Sequence, residues 1–387
     1  MRSICKILLP FVLFFWILFA TACGTSDSAP ASNSLEQRYP TMEFPPAEVQ
    51  SESSQSADEP TGEADAKPLN YDTMQGVWIS YIEYGWALTG KSESEFRSNL
   101  QTMFDRLKSK NLNTAIVQVR SHGDAYYLSD CYPWSKYVTG TLCADPGFDP
   151  LQIMVEEAHS RGISLHAWIN PYRLMKDEDM AALPDSYRIK QWYQNPDYMV
   201  QQQDYWYLNP GNAEAQTLIL DGVRELVSRY DVDGIQIDDY FYVPSPASFG
   251  QSEEEARQNT TALVKGMHDT VKSVNGDLLF GVSPGGNYTD APRSDSTQYT
   301  DLQRWCTEDG YLDYVAPQIY WAFDDPQAPF SEVLAKWKAL CEGHSVKLVT
   351  GLAAYKFPDS DILTQQTQCA QDETDGYLYF RYDNVFS

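Results

Sequence analysis

Beyond residue 73 the chain alternates between two hydrophobic patterns. Eight short runs rich in apolar and β-branched residues recur, separated by longer stretches whose apolar positions repeat at helical spacing. The runs predict strands over 74–82, 112–120, 163–170, 232–241, 278–284, 312–321, 347–355 and 375–382. The stretches between them predict helices over 93–110, 149–161, 214–230, 253–274, 299–308, 330–342 and 361–371. Entry and exit signals agree, as with Asp149-Pro150 ahead of one helix and Gly162 behind it. Strands alternating with amphipathic helices imply a parallel sheet, and eight such repeats predict an α/β fold closed into a (β/α)8 TIM barrel. No glycine-rich phosphate turn follows the first strand, which argues against a dinucleotide-binding sheet. The sequence ends five residues after the eighth run. The eighth helix is therefore expected to be missing or replaced, with the preceding segment or a neighbouring chain covering that strand.

The N-terminal pattern is different. Arg2 and Lys6 precede an apolar run from Ile7 to Phe19, followed by Ala20-Thr21-Ala22-Cys23. This is the layout of a secretory signal, and its uncharged core is shorter than the roughly 20 residues that span a bilayer. Cysteine directly after small residues resembles the lipobox of bacterial lipoproteins, although Ala20 stands where Leu is usual. The resemblance implies that residues 1–23 are a lipoprotein signal and that the Cys23 thiol is acylated, palmitate-like, at the mature N-terminus. Several acyl chains make a firm anchor, since each buried CH2 contributes about 0.8 kcal/mol. Residues 24–71 hold nine acidic residues against Arg38 and Lys67, with six prolines and little periodic apolar surface. Such a stretch buries too little to offset its ordering entropy and reads as a disordered, acidic tether. The expected location is extracytoplasmic, on a membrane at the cell surface, with residues 72–387 as the barrel.

Composition narrows the function classes. With 54 Asp and Glu against 28 Lys and Arg, the net charge of −26 offers no basic footprint for nucleic acid. An aromatic share of 13% suits a sugar-stacking groove, but also an ordinary large core. Cys131, Cys143, Cys306, Cys341 and Cys369 remain in the barrel, and Cys131 and Cys143 share a loop in which they could bridge. No Cys-x-x-Cys or His-x-x-x-His spacing occurs, so neither a structural zinc nor any other metal or cofactor is expected.

In such barrels the chemistry sits where strands run into their following loops. The fourth strand ends Asp233-Gly234-Ile235-Gln236-Ile237-Asp238-Asp239-Tyr240. Alternation points Ile235 and Ile237 at the helices, and Gln236 and Asp238 into the mouth. Asp239 joins Asp238 only where the backbone curls. Adjacent carboxyls repel and one pKa rises, which supplies the acid needed to protonate a leaving group. Asp238 and Asp239 are thus the candidate catalytic pair; a loop-capping or Arg120-pairing role for either remains open. Substrate-contacting candidates from the other strand ends are Arg120 and His122 beside Gln118, then His166, Trp168, Asn170 and Tyr172. Tyr240 follows the pair itself. Asn287 beside Ser283, and then Gln318, Tyr320 and Trp321, complete the set.

Six motifs then point to one family: VRSHGDAYYLSDCYPWS (119–135), HAWINPYR (166–173), WYLNPGN (206–212), DGIQIDDYFYVP (233–244), GVSPGGN (281–287) and PQIYW (317–321). Over about residues 72–385 the chain resembles the glycosyl-hydrolase-like 10 family. The resemblance implies a bacterial envelope protein whose barrel cleaves glycosidic bonds, with cell-wall glycan stripped of stem peptides as the substrate class. Asp238 matches the barrel-facing Asp that amylase-type barrels use as nucleophile. Retaining and inverting glycosidases pair two carboxyls, yet GVSPGGN and PQIYW contain none. A substrate-assisted route is therefore expected. In it the sugar's acetamide oxygen attacks, Asp238 orients the acetamide N–H, Asp239 protonates the leaving oxygen and Tyr320 holds the acetamide carbonyl. The chitinase pattern DG-x-D-x-D-x-E does not transfer, because Gln236 and Tyr240 replace its first Asp and final Glu. A non-peptidoglycan polysaccharide, a non-catalytic carbohydrate-binding role, and Asp124 or Asp324 as the acid stay open.

Overall fold

Each of the eight predicted runs becomes a strand in the computed structural model, which describes residues 67–238, 241–287, 299–358 and 360–386. The strands are β1 (Met74–Ile79), β2 (Thr114–Arg120), β3 (Ser164–Ile169), β4 (Arg173–Lys176), β5 (Met199–Gln202), β6 (Tyr205–Leu208), β7 (Gly234–Ile237), β8 (Leu279–Val282), β9 (Tyr314–Val315), β10 (Lys347–Leu348), β11 (Thr350–Ala353) and β12 (Gly376–Phe380). One parallel sheet runs β10-β9-β8-β7-β3-β2-β1-β12-β11. Val349 alone separates its two end strands, so β10 and β11 are halves of one strand and the sheet closes on itself. The result is a (β/α)8 barrel. β9 is shorter than its apolar run predicts because Pro317 lacks an N–H, and pairing continues only through the isolated bridges Gly285–Gln318 and Gln318–Gly351.

Alternation sorts the side chains into two cores. Val77, Val117, Leu165, Ile235 and Phe280 face outward and pack on helix residues such as Phe104, Leu151, Leu226 and Trp337. Inside, Trp78, Ile116, Trp168, Tyr314, Leu378 and Phe380 fill the barrel. Room for these rings comes from glycine. A Cβ on Gly281 would lie 2.1 Å from the Tyr314 ring. The helices begin with side-chain caps: Ser92 and Ser252 form capping boxes, and Asn212 accepts from Glu214 and Ala215.

The sequence pattern missed what lies between β3 and β7. There β4, β6 and β5 form a small antiparallel sheet whose four-residue strands are too short for a clear alternating signal. Arg173, wholly buried, ties it to the barrel by donating from Nε to the Ser121 carbonyl at 2.8 Å.

Two expectations are corrected. The eighth strand is covered by the chain's own end: a short helix, Tyr382–Phe386, packs on β1 and β12, and Asp361–Glu373 flanks it. The tether's last residues instead cross the barrel floor beneath the strand starts. The Leu69 N–H donates to Asp233 Oδ1 at 2.6 Å, Asn70 Nδ2 to the Asp277 carbonyl at 2.6 Å, and Tyr71 Oη to the Gly162 carbonyl at 2.7 Å. Cys131 and Cys143 are separate thiols, as are Cys306, Cys341 and Cys369. The signal, Cys23 and most of the tether lie outside the described residues.

At the seam, Arg381 after β12 makes a buried ion pair with Glu83, whose other oxygen accepts from Ser80 N and Oγ at 2.9 and 2.6 Å. Burial raises the Glu83 pKa and the Arg381 charge opposes that rise. Arg381→Met would leave a buried unpaired carboxylate, and urea unfolding should show a loss of about 3–5 kcal/mol; a loss below about 1 kcal/mol would contradict the pairing. On the floor, burial lowers the His159 pKa, but the hydrogen bond and charge of Asp233 more than offset it and hold it above the ordinary 6.5. A raised pKa of this kind stabilises fully below the unfolded value and stops doing so as pH climbs through the folded one. A His159→Gln variant should therefore melt below the parent at about pH 6 and converge on it by about pH 9. Equal differences in Tm at both pH values would remove the claim.

Candidate active site

β2, β3 and β7 lie side by side, with Gln118, Trp168 and Gln236 in register. Above that row, Asn170 follows β3 and Asp238 follows β7, each on the inward parity of its strand. A chain of hydrogen bonds joins them. The Tyr81 backbone N–H donates to Gln118 Oε1 at 3.1 Å, Gln118 Nε2 to Asn170 Oδ1 at 2.6 Å, and Asn170 Nδ2 to Asp238 Oδ1 at 2.6 Å. Gln118 and Asn170 are wholly buried and Asp238 is 4% exposed. Asp238 thus reaches the mouth as a hydrogen-bond acceptor, with one oxygen engaged from within the barrel.

A second chain runs through the two layers below Asn170 and Asp238. Trp78 Nε1 donates to Gln236 Oε1 at 2.6 Å, and Gln236 Nε2 donates to Tyr314 Oη at 3.1 Å. Tyr314 Oη lies 2.9 Å from His166 Nδ1. Having accepted from Gln236, the phenol is placed to donate onward to the ring nitrogen. Burial pulls the His166 pKa down to about 4, so its imidazole is neutral near pH 7. These layers form a hydrogen-bonded polar floor beneath Asp238, in which His166 Nε2 and Trp168 Nε1 have no hydrogen-bond partner among the described residues.

The mouth is walled by aromatic side chains. His122 sits among three tyrosines, stacked on Tyr137 (5.7 Å) and Tyr205 (5.4 Å) and edge-on to Tyr81 (5.1 Å). Because Tyr205 belongs to β6, this contact clasps the small sheet to the loop after β2. Across β3 from it, Tyr242 Oη donates to Gln251 Oε1 at 2.8 Å, and Gln251 Nε2 donates to Asn209 Oδ1 at 2.8 Å. That pairing fixes the WYLNPGN loop against the segment following the fourth barrel strand.

The candidates from sequence divide by depth and direction. Asp238 and Asn170 meet at the mouth, with Trp168 directly beneath. Tyr320 caps β9's extension and packs near Phe380 and Tyr355. Gln318 donates from Nε2 to the Ser283 carbonyl at 3.2 Å, Asn287 is half-buried at the same rim, and Tyr172 is buried beside Tyr242. Asp239 and Tyr240 lie outside the described residues.

Other candidates are placed differently from expectation. A bulge between Gln118 and Arg120 sets Arg120 opposite Ile169, an outward position, so its guanidinium lies behind the sheet over the Tyr132 ring at 4.5 Å. A Cβ on Gly222 of the helix Ala213–Arg229 would lie 2.5 Å from Arg120 Nη1. Arg120 is therefore not a mouth residue. His166 faces inward but two layers below Asn170, in the floor. Trp321 is half-buried against the sheet-to-helix core, and its carbonyl accepts from Gln366 Nε2 at 2.7 Å.

Two alternative acids also resolve. Asp124 is 2% exposed and spends Oδ1 on the Ser121 and His122 N–H groups at 3.2 and 2.8 Å, a turn-forming role. Asp324 is exposed on the loop before the helix Phe330–Cys341. Among the described residues the rims after β8 and β9 carry no carboxylate up to Asn287 and Trp321. Nor is any group of three His, Cys, Asp or Glu arranged there to hold a metal ion.

Sequence reasoning did not find the floor chain through Trp78 and Tyr314, nor the Glu83–Arg381 pair. Trp78 and Gln236 share inward parity, which was the available signal. The Arg381 contact spans 298 positions and has no local signature.

Comparison with known proteins matches this architecture. The model of the family described as glycosyl hydrolase-like 10 aligns with residues 73–258 and 253–370. The chain is 33% identical over 314 residues to Glycosyl hydrolase YngK of Bacillus subtilis (strain 168), covering 73% of this chain and 61% of that relative. The chain thus spans under two thirds of YngK. It is 35% identical over 324 residues to Glycosyl hydrolase DigH of Escherichia coli (strain K12), covering 73% of each. The fold is similar to that of the PgaB (BpsB) glycoside hydrolase domain from Bordetella bronchiseptica, with a TM-score of 0.57, 13% identity, and coverage of 81% of this chain and 95% of that one. With both its sequence and its closed barrel accounted for, the chain belongs to the glycosyl hydrolase-like 10 family.

Proposed function

We propose that this protein is a cell-surface glycoside hydrolase that cleaves N-acetylated wall glycan, namely peptidoglycan strands lacking stem peptides, with Asp238 at the centre of the chemistry. The observation that carries the reading is the placement of Asp238. It is a buried carboxylate at the end of the fourth barrel strand, held by Asn170.

Substrate assistance fits the supply of groups. Without a second carboxylate at the described ends of β8 and β9, the nucleophile is best supplied by the sugar. Its acetamide oxygen forms a bond to the anomeric carbon as the glycosidic C–O bond breaks, and the leaving oxygen takes a proton from the Asp239 carboxyl. Asp238 accepts the acetamide N–H, and the Tyr320 phenol donates to the acetamide oxygen before attack. Water then opens the cyclic intermediate and returns a proton to Asp239.

The anchor belongs to the same proposal. Residues 69–71 dock on the floor, whereas Asp238 lies at the opposite end of the strands. A lipidated Cys23 would tether the barrel to a membrane through residues 24–71. Cys23→Ser is expected to move the protein from the detergent-phase membrane fraction to the soluble one; unchanged partitioning would contradict lipid anchoring. For catalysis, Asp238→Asn should lower reducing-end release from amidase-treated peptidoglycan by about 10²-fold or more, the scale set by an oriented charged group. Release equal to the parent's would remove Asp238 from the centre. Saturable glycan binding by the parent without turnover at any pH would instead indicate a carbohydrate-binding protein.

A further inference from the structure

The hydrogen-bond chain at the mouth has a fixed direction. Its first donor, the Tyr81 backbone N–H, cannot reverse, because a peptide nitrogen only donates. Tyr81 is held there as the first residue of the helix Tyr81–Ala87, capped by Ser80 and Glu83 in a reciprocal box and pinned through Glu83 to Arg381. A donor at Tyr81 requires an oxygen on Gln118, which turns the Gln118 amide nitrogen toward Asn170. Asn170 must then present oxygen to Gln118 and nitrogen to Asp238. Neither amide can rotate by half a turn without setting like against like inside the barrel, where an unpaired buried group is costly.

We propose that Gln118 and Asn170 are positioning residues that transmit the orientation of the Tyr81 N–H to Asp238 and so keep a donor on its Oδ1. The proposal rests on the reading of Asp238 as the central carboxylate and assigns Asn170 a task other than contacting glycan. The donor fixes the rotation of the Asp238 side chain and favours its charged form, the form that accepts an acetamide N–H.

Substitutions that invert polarity while preserving shape test it. Gln118→Glu still accepts from Tyr81, but its second oxygen donates to Asn170 only while the introduced carboxyl is protonated. Once ionised, it forces the Asn170 amide to turn its oxygen toward Asp238. Turnover relative to the parent should therefore fall about tenfold or more as pH rises through that ionisation, because a hydrogen bond to a charged group contributes on this scale. Gln118→Met, of similar length and without polarity, should lose activity by a factor that does not vary with pH. Asn170→Asp should behave like Gln118→Glu, one step nearer, and KM should change less than kcat in all three. Parallel pH profiles for parent, Gln118→Glu and Asn170→Asp would overturn the proposal.

A second readout needs no substrate and is independent of the glycosidase reading. The carboxyl-carbon NMR signal of Asp238, assigned by its loss in Asp238→Asn, should titrate at higher pH in folded Asn170→Asp than in the parent. An unchanged titration would defeat the relay even if the parent is an active hydrolase. An inactive parent with a shifted titration would defeat the hydrolase reading and leave the relay standing.

Discussion

The hydrogen bond from Asn170 to Asp238 sets what the barrel mouth presents, because it ties the carboxyl there to the paired strands beneath it. Asn170 and Asp238 follow neighbouring parallel strands whose register is set by pairing from His166–Gly234 to Ile169–Ile237. Their depth and direction are therefore consequences of sheet closure. The amide chain behind them ends on a backbone N–H, so its polarity is also a property of the main chain. A carboxylate placed this way needs no reorganisation when a substrate arrives, which is what electrostatic preorganisation requires.

Closure is in turn supported from both ends of the barrel. Near the mouth, Glu83 and Arg381 join the first and last strands across the seam and also hold the helix that supplies the Tyr81 N–H. At the floor, Asp233 accepts from Leu69, Leu165 and His159 and locks the incoming chain beneath the strand that carries Asp238. One β-strand is thus flanked by a structural aspartate, Asp233, before its start and by Asp238 after its end. Their separation along the barrel axis keeps residues 69–71 away from the barrel mouth.

The fold was legible because periodicity carries it: eight apolar runs gave eight strands, and the helix Glu253–Val274 begins and ends where its pattern predicted. The site was legible only in part. Parity assigns a side chain to a face but not to a depth, so His166, Trp168 and Asn170 look equivalent in sequence although one is floor and another is rim. Parity also fails at a bulge, where one extra residue inverts it, and Arg120 went to the wrong face for that reason. The small sheet at 173–208 and the seam ion pair depend on contacts between distant segments, for which a single sequence contains no periodic signal.

The most direct test of this account is a crystal structure of the Asp238→Asn protein with an N-acetylated glycan fragment spanning the mouth. The acetamide of the sugar at the cleavage point is expected within hydrogen-bond reach, about 2.6–3.2 Å, of the residue 238 side chain, with its oxygen about 3–3.5 Å from the anomeric carbon. A glycan bound elsewhere on the barrel, or one whose acetamide points away from residue 238, would contradict it.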